Sequence, residues 1–337
     1  MVNKKYLLYL FLGFIILFDI GMVSIFFTNR AFSHLALWRI EDLSNKEYFN
    51  FSPDRKPYYF QFENVDNPEI FLGKIKNPFS SDDDVWLNVI HIAKHTKKQC
   101  DVSIDKKNNS VKWGSAEYIF KQITEEEKRG VDCFNCCILL GGYLAAMGIK
   151  SRIWALEGRL FDKPAHSIIE VYIEPLKKWI LLDVSFGFYA TYDDSLLSLL
   201  ELRNLLLKRD NGRLKFIYIL DEPSNKDKIL KLYRSLITTV ILRTNNNYTD
   251  RYKKRYGCLN FLKDYIDSFP DYFRRGIDYF FGSKDLFIHY IDEFSPPLRI
   301  KGVFAHIILH FALLSLLFIV MIFLFNILVN RKFLIQC

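Results

Sequence analysis

The 337-residue chain contains no internal repeat and no low-complexity tract, so repeat architectures are set aside. It has no long basic tract and no nucleic-acid-binding motif. Its formal charge is +8, but 46 basic and 38 acidic residues are interspersed. The excess therefore suits solubility and nearness to a membrane better than a nucleic-acid partner. Six cysteines form no evenly spaced framework: Cys133, Cys136 and Cys137 cluster, and Cys100, Cys258 and Cys337 are scattered. His91 and His95 stand at i, i+4 spacing, but no carboxylate or cysteine completes a metal site around them, and they read as a surface pair. Neither a metal nor a cofactor is implied. Disorder is excluded by composition, since half the residues are apolar and a quarter charged.

What is present begins with two long apolar runs. Residues 6–27, YLLYLFLGFIILFDIGMVSIFF, are long enough to span a bilayer and follow Lys4 and Lys5. No A-x-A-like cleavage site follows, so the run reads as an uncleaved anchor with a cytoplasmic N-terminus. Residues 303–329, VFAHIILHFALLSLLFIVMIFLFNILV, form a second span, followed by Arg331 and Lys332. Both termini are then cytoplasmic, and everything between lies outside the cytoplasm. Asp19 lies within the first run, and His306 and His310 within the second. An ionisable residue at membrane depth is costly unless paired, so Asp19 reads either as the partner of His310 or as a neutral group near the interface or in contact with another protein.

The most informative stretch is 130–152, GVDCFNCCILLGGYLAAMGIKSR. It reads as a helix capped by Asp132 and stopped by Gly148, with a strand at 151–156. Cys133 occupies the first turn, where unpaired N–H groups and the helix dipole favour thiolate. A histidine then opens the strand-like run AHSIIEVYI (165–173), and Asp183 ends KWILLDV (178–184). Alternation puts His166, Ile168, Glu170 and Tyr172 on one strand face, and Leu181 with Asp183 on the matching face of the next. Cysteine, histidine and aspartate form a nucleophile, a base and an orienting group in workable order. Elsewhere, Ser80 or Ser81 caps a helix bearing Val85, Trp86, Val89, Ile90 and Ala93. Ser115 caps another at 115–129. A leucine-rich helix covers 195–208, a strand 214–220, and a further helix runs from Ser224 to about Thr244. In 251–281, aromatics mixed with Arg and Lys suit either a membrane interface or an aromatic core.

Residues 130–187 resemble the core of the transglutaminase-like superfamily of papain-type thiol enzymes. Cys133 opens a helix ending in Gly148-Ile149 and Arg152, similar to the family's GI-x-x-R. His166 with Glu170-Val171 is similar to H-x-x-x-E-V, and Trp179 before Asp183 to W-x-x-x-D. The chain departs from the pattern at the Gly130–Cys133 spacing, at Val184 and at Ile168. The resemblance implies an α+β fold, with the cysteine helix packed on an antiparallel sheet that carries His166 and Asp183, here flanked by two transmembrane helices. The expected division is a cytoplasmic N-terminus (1–5), a span (6–27), an extracytoplasmic lead segment (28–78), a transglutaminase-like domain (79–190), a helical, aromatic-rich extension (191–302), a second span (303–329) and a cytoplasmic tail (330–337).

The implied activity is acyl transfer or hydrolysis, amidase- or peptidase-like, on an extracytoplasmic peptide, protein or envelope polymer. Cys133, His166 and Asp183 would carry it on the extracytoplasmic, periplasmic side of the cell (inner) membrane. The family implies one oxyanion donor at the Cys133 N–H and a second from upstream, for which Gln122, Tyr118 and Trp113 are candidates. A different reading is a non-catalytic scaffold, in which the domain binds a partner or polymer and the two spans dock with other membrane proteins of an assembly complex. Cys133 and Cys136 also form a CxxC at a helix start, but the strand expected before a redox motif is missing. A Cys133–Cys136 disulfide would silence the nucleophile.

Overall fold

The computed structural model describes residues 39–75, 84–104, 111, 114–125, 131–157, 165–209, 212–221, 223, 226–253, 257–262, 265, 266, 268 and 286–295, with isolated positions within 13–21 and 307–318. Residues Ile40–Pro297 form one compact unit, and Met1–Arg39 with Leu298–Cys337 form another. The first unit thus takes in most of the lead segment, the central region and nearly all of the extension together.

In the terminal unit, Asp19 is buried, and its Oδ1 accepts a hydrogen bond from Ser315 Oγ at 2.5 Å. Ser315 lies five residues beyond His310, one of the partners expected from the sequence. Among the described residues no helix is long and apolar enough to cross a membrane, and the runs 6–27 and 303–329 fall mostly outside those residues.

The larger unit is α+β. In chain order its elements are β1 (Arg39–Leu43), α1 (Pro68–Leu72), α2 (Val85–Ile104), α3 (Ala116–Thr124), α4 (Cys133–Ala146), β2 (Ser151–Leu156), β3 (His166–Ile173), β4 (Lys178–Leu182), β5 (Phe188–Tyr192), β6 (Ser195–Leu196), α5 (Leu199–Lys208), β7 (Leu214–Tyr218), α6 (Lys226–Leu236), β8 (Val240–Arg243), α7 (Tyr248–Lys253) and β9 (Leu286–Tyr290). The main sheet has the order β1-β9-β8-β2-β3-β4, and a smaller one the order β6-β5-β7. β2, β3, β4, β8 and β9 pair antiparallel, with Arg152 opposite Glu170 and Leu156 opposite His166.

The main sheet separates two apolar cores. Ile153, Ile169, Val171, Ile180 and Leu182 pack with α1 to α4 on one side, and Trp154, Leu156, Ile168, Leu181, Val240 and Leu242 pack with α5, α6 and β5 on the other. Successive residues of β2 and β3 point to opposite faces, and both faces are covered. These strands therefore read as continuous apolar runs and not as an alternation.

α4 is set by local chemistry. Asp132 accepts from the Asn135 N–H at 2.7 Å, which satisfies one donor of the first turn. At the other end Gly148 takes φ +74°, its N–H reaches Ala145 O, and the Ile149 N–H reaches Leu144 O. That is a Schellman closure, and Gly at this position avoids the Cβ penalty of the left-handed conformation. Leu139, Leu140 and Leu144 are wholly buried, each burial worth about 1.5–3 kcal/mol. Gly142 permits the packing of two neighbours, because a Cβ there would meet Ala116 Cβ at 2.4 Å and Phe71 Cζ at 3.0 Å.

Four sequence expectations change. The helix expected at 195–208 starts at Leu199; Ser195–Leu196 is a short strand, and Ser198 caps the helix in a box with Glu201. The helix expected to run to Thr244 ends at Leu236, and the β-branched stretch that follows becomes β8 inside the main sheet. The cap of α2 is Asp84, which accepts from the Leu87 N–H at 3.0 Å; Ser80 and Ser81 lie outside the described residues. Finally, the segment expected to be largely helical, 191–302, supplies β6, β8 and β9 besides the strand expected at 214–220, and β8 and β9 lie inside the main sheet.

Candidate functional site

Three elements bring Cys133, His166 and Asp183 together. His166 starts β3, and Asp183 directly follows β4, so antiparallel pairing puts both at one end of the sheet. His166 shares its strand face with Ile168, and Asp183 shares one with Leu181, on the α5–α6 side. α4 packs on the opposite face. Its first turn therefore meets the pair around the sheet end, where the Cys133 side chain comes close enough to act electrostatically on the His166 imidazole.

The imidazole Nε2 lies 2.6 Å from Asp183 Oδ2, and both residues are buried. A carboxylate only accepts, so Nε2 carries the proton and Nδ1 is the nitrogen left for Cys133. Asp183 Oδ1 accepts from the Phe186 N–H at 2.9 Å. Burial opposes both charges, but the mutual attraction outweighs it. His166 is raised from 6.5 to about 10, with Asp183 and Cys133 acting against desolvation. Asp183 is held below the usual carboxylate range, again against its burial, by His166, by the Phe186 N–H and by the Tyr233 hydroxyl. At neutral pH this is an imidazolium–carboxylate pair beside a half-buried thiol at a helix N-terminus. The Phe186 ring, 4.6 Å from that of His166, covers the imidazole.

Tyr233 completes the cluster. Its hydroxyl donates to Asp183 Oδ2 at 2.5 Å, and its ring meets His166 edge-on at 5.9 Å. It arrives on α6, fifty residues after Asp183, and no local motif marks it. The only trace in the sequence is an aromatic residue on the apolar stripe of α6, which also carries Ile229 and Leu236.

The three cysteines of α4 differ. Cys136 is buried and hydrogen-bonded to Cys100 of α2; that bond and burial push its thiol well up. Cys137 is wholly buried, and burial raises it likewise. Cys133 alone of the three is half-buried and beside the histidine. None of the described cysteines is in a disulfide. Of the oxyanion candidates, Gln122 is buried on α3, Tyr118 lies half-buried on the same helix with its ring against Gly114, and Trp113 is outside the described residues. His95 bonds Tyr143 Oη at 3.2 Å. No group of three or more His, Cys, Asp or Glu side chains among the described residues could hold a metal ion.

Glu170, two positions along the same face from Ile168, is structural. It accepts from Arg152 Nε at 2.8 Å, Trp154 Nε1 at 2.6 Å and the Leu199 N–H at 2.7 Å. A cleft of about 360 Å³ opens near the other end of β4, lined by Lys46, Lys177, Lys178, Trp179 and Glu201, and no triad residue lines it. No known family model matches this chain, and neither characterised proteins nor solved structures include a significant match to it.

Proposed function

We propose that this chain is a membrane-anchored thiol enzyme of the transglutaminase-like type, acting by acyl transfer or hydrolysis on an extracytoplasmic peptide, protein or envelope polymer. The observation that carries this reading is the continuous line Cys133–His166–Asp183, with a 2.6 Å ion pair behind a half-buried thiol. The anchoring part of the reading rests on the runs 6–27 and 303–329 and their flanking lysines and arginine.

In this mechanism the Cys133 thiolate attacks the carbonyl carbon of an amide or ester. The carbonyl π electrons move onto oxygen, where the Cys133 N–H at the helix N-terminus can donate to the oxyanion. The imidazolium then gives its Nδ1 proton to the leaving amine or alkoxide as the C–N or C–O bond breaks, which leaves a thioester. Water or an acceptor amine loses a proton to Nδ1 as it attacks the thioester, and the thiolate departs. Asp183 keeps Nε2 protonated and the ring oriented throughout.

Alkylation of the full chain in detergent by iodoacetamide across pH 4–9 tests the reading. Cys133 should label faster than the exposed Cys258 at the same pH. His166→Ala should slow that labelling at least about tenfold, and Cys133→Ser should abolish it. Labelling no faster than an ordinary thiol would sink the catalytic reading. A scaffold role would then gain, since Asp19 Oδ2 is buried without a hydrogen-bond partner among the described residues and could meet another membrane protein.

A further inference from the structure

We propose that Tyr233 is a positioning residue of this site: it acts on Cys133 chemistry through Asp183, so the segment after residue 190 completes the site and is not an appendage to it. The proposal rests on the thiol-enzyme reading above.

Three observations carry it. First, the Tyr233 hydroxyl is buried and donates to Oδ2, the same oxygen that His166 Nε2 contacts. A ring needed only for packing would be served by Phe, without the cost of burying a hydroxyl. Second, the ring is fixed on several sides, by His166 at 5.9 Å, Phe188 at 5.2 Å and Phe186 at 6.3 Å. Third, the end of α6 is tied down by a buried guanidinium. Arg203 of α5 donates from Nε to Ile237 O at 2.9 Å and from Nη2 to Thr238 O at 3.1 Å, and it pairs with Asp292 after β9. The N-terminus of α5 is itself held by Glu170 of β3 through the Leu199 N–H. The strand that starts with His166 thus anchors the helices that deliver Tyr233.

The chemical consequence follows from sharing one oxygen. Asp183 receives three donors, and the two on Oδ2 divide its charge. The carboxylate stays ionised and cannot rotate away, so Nε2 remains turned to it and Nδ1 to Cys133. The division also weakens Asp183's hold on the imidazolium, which must release its proton to a leaving group. The titratable groups facing the pair are Cys133 and Cys137 of α4 and Tyr233 of α6.

The test is the alkylation profile of Cys133 in the full chain from pH 4 to 11. A thiolate–imidazolium pair gives two steps: a lower one as the pair forms, and an upper one as the imidazolium loses its proton. Tyr233→Phe leaves Oδ2 to His166 alone, so the upper step should move up by about half to one pH unit. A folded Tyr233→Phe variant with wild-type melting and an unmoved upper step would overturn the proposal and leave the thiol-enzyme reading intact. Should Tyr233→Phe fail to fold, site-specific 3,5-difluorotyrosine at 233 keeps the shape and donates more strongly. It should lower the upper step; no movement, or an upward one, overturns the proposal. A wild-type profile with one step at the ordinary thiol value removes both the reading and the proposal.

Discussion

β3 carries two buried ion pairs on the same face, four residues apart, and they do different work. His166–Asp183 is 2.6 Å long, and Arg152–Glu170 is 2.7 Å. Each is almost wholly shielded from water. The Arg152 guanidinium stacks 4.2 Å from the Trp179 ring and bonds Phe49 O, while Glu170 takes three donors from two elements, β2 and α5. Nothing in that pair can give up a proton at working pH, since guanidinium stays charged. The histidine pair has a partner that can, and a half-buried thiol on its free side. Burial and charge alone therefore do not make a site. A transferable proton and an approachable nucleophile do.

The comparison can be broken at its structural end first. Glu170→Ala leaves Arg152 buried without its counter-charge and should cost about 3–5 kcal/mol in urea unfolding. The Cys133 alkylation rate per folded molecule should stay at the wild-type value. The double change Arg152→Met with Glu170→Leu should recover only part of that cost, because Phe49 O, Trp154 Nε1 and the Leu199 N–H lose their partners. Full recovery, or lost thiol reactivity in the folded fraction, would refute the division between strut and site.

Titration sharpens it. His166 is raised from 6.5 to about 10, so its stabilisation is fully present below 6.5 and is lost as pH climbs through about 10. Asp183 is lowered from 3.8, so its share is present above 3.8 and is lost as pH falls through the depressed value. The pair therefore contributes most between these two ordinary values. Wild type should lose a few kcal/mol relative to Asp183→Asn between pH 6.5 and 10, read by urea unfolding at each pH. Parallel curves would mean the pair is not charged in the native state.

The smallest expected effect concerns the helix that links the two pairs. Ser198 and Glu201 cap α5 reciprocally, and Glu170 adds a third bond there. Ser198→Ala should cost about 1 kcal/mol, with no change in the alkylation profile. A loss above about 3 kcal/mol would show that α5 depends on its cap more than on Glu170.

How much of this was readable in advance varied with distance along the chain. The bounds of the cysteine helix and of β2 were legible, because the Asp132 cap, the Gly148 stop and the apolar run between them act within a few residues. The shared face of His166 and Asp183 was legible too, since alternation along a strand is a local rule. β8 and β9 were not: each is four or five residues long, too short for periodicity, and each is a strand because it lies beside another strand. Tyr233 and the Arg203–Asp292 clamp were not legible either, because their partners are 50 and 89 residues away.

By itself, then, the sequence determined the local parts: a thiol at a capped helix start, a histidine and an aspartate on matching strand faces, and two apolar runs at its ends. Only the tertiary structure decided which sheet end they meet at and which tyrosine joins them. Caps and alternation follow from backbone geometry over one or two turns of chain. Burial, shared hydrogen bonds and the charge state of His166 depend on groups that only the completed packing brings within 3 Å.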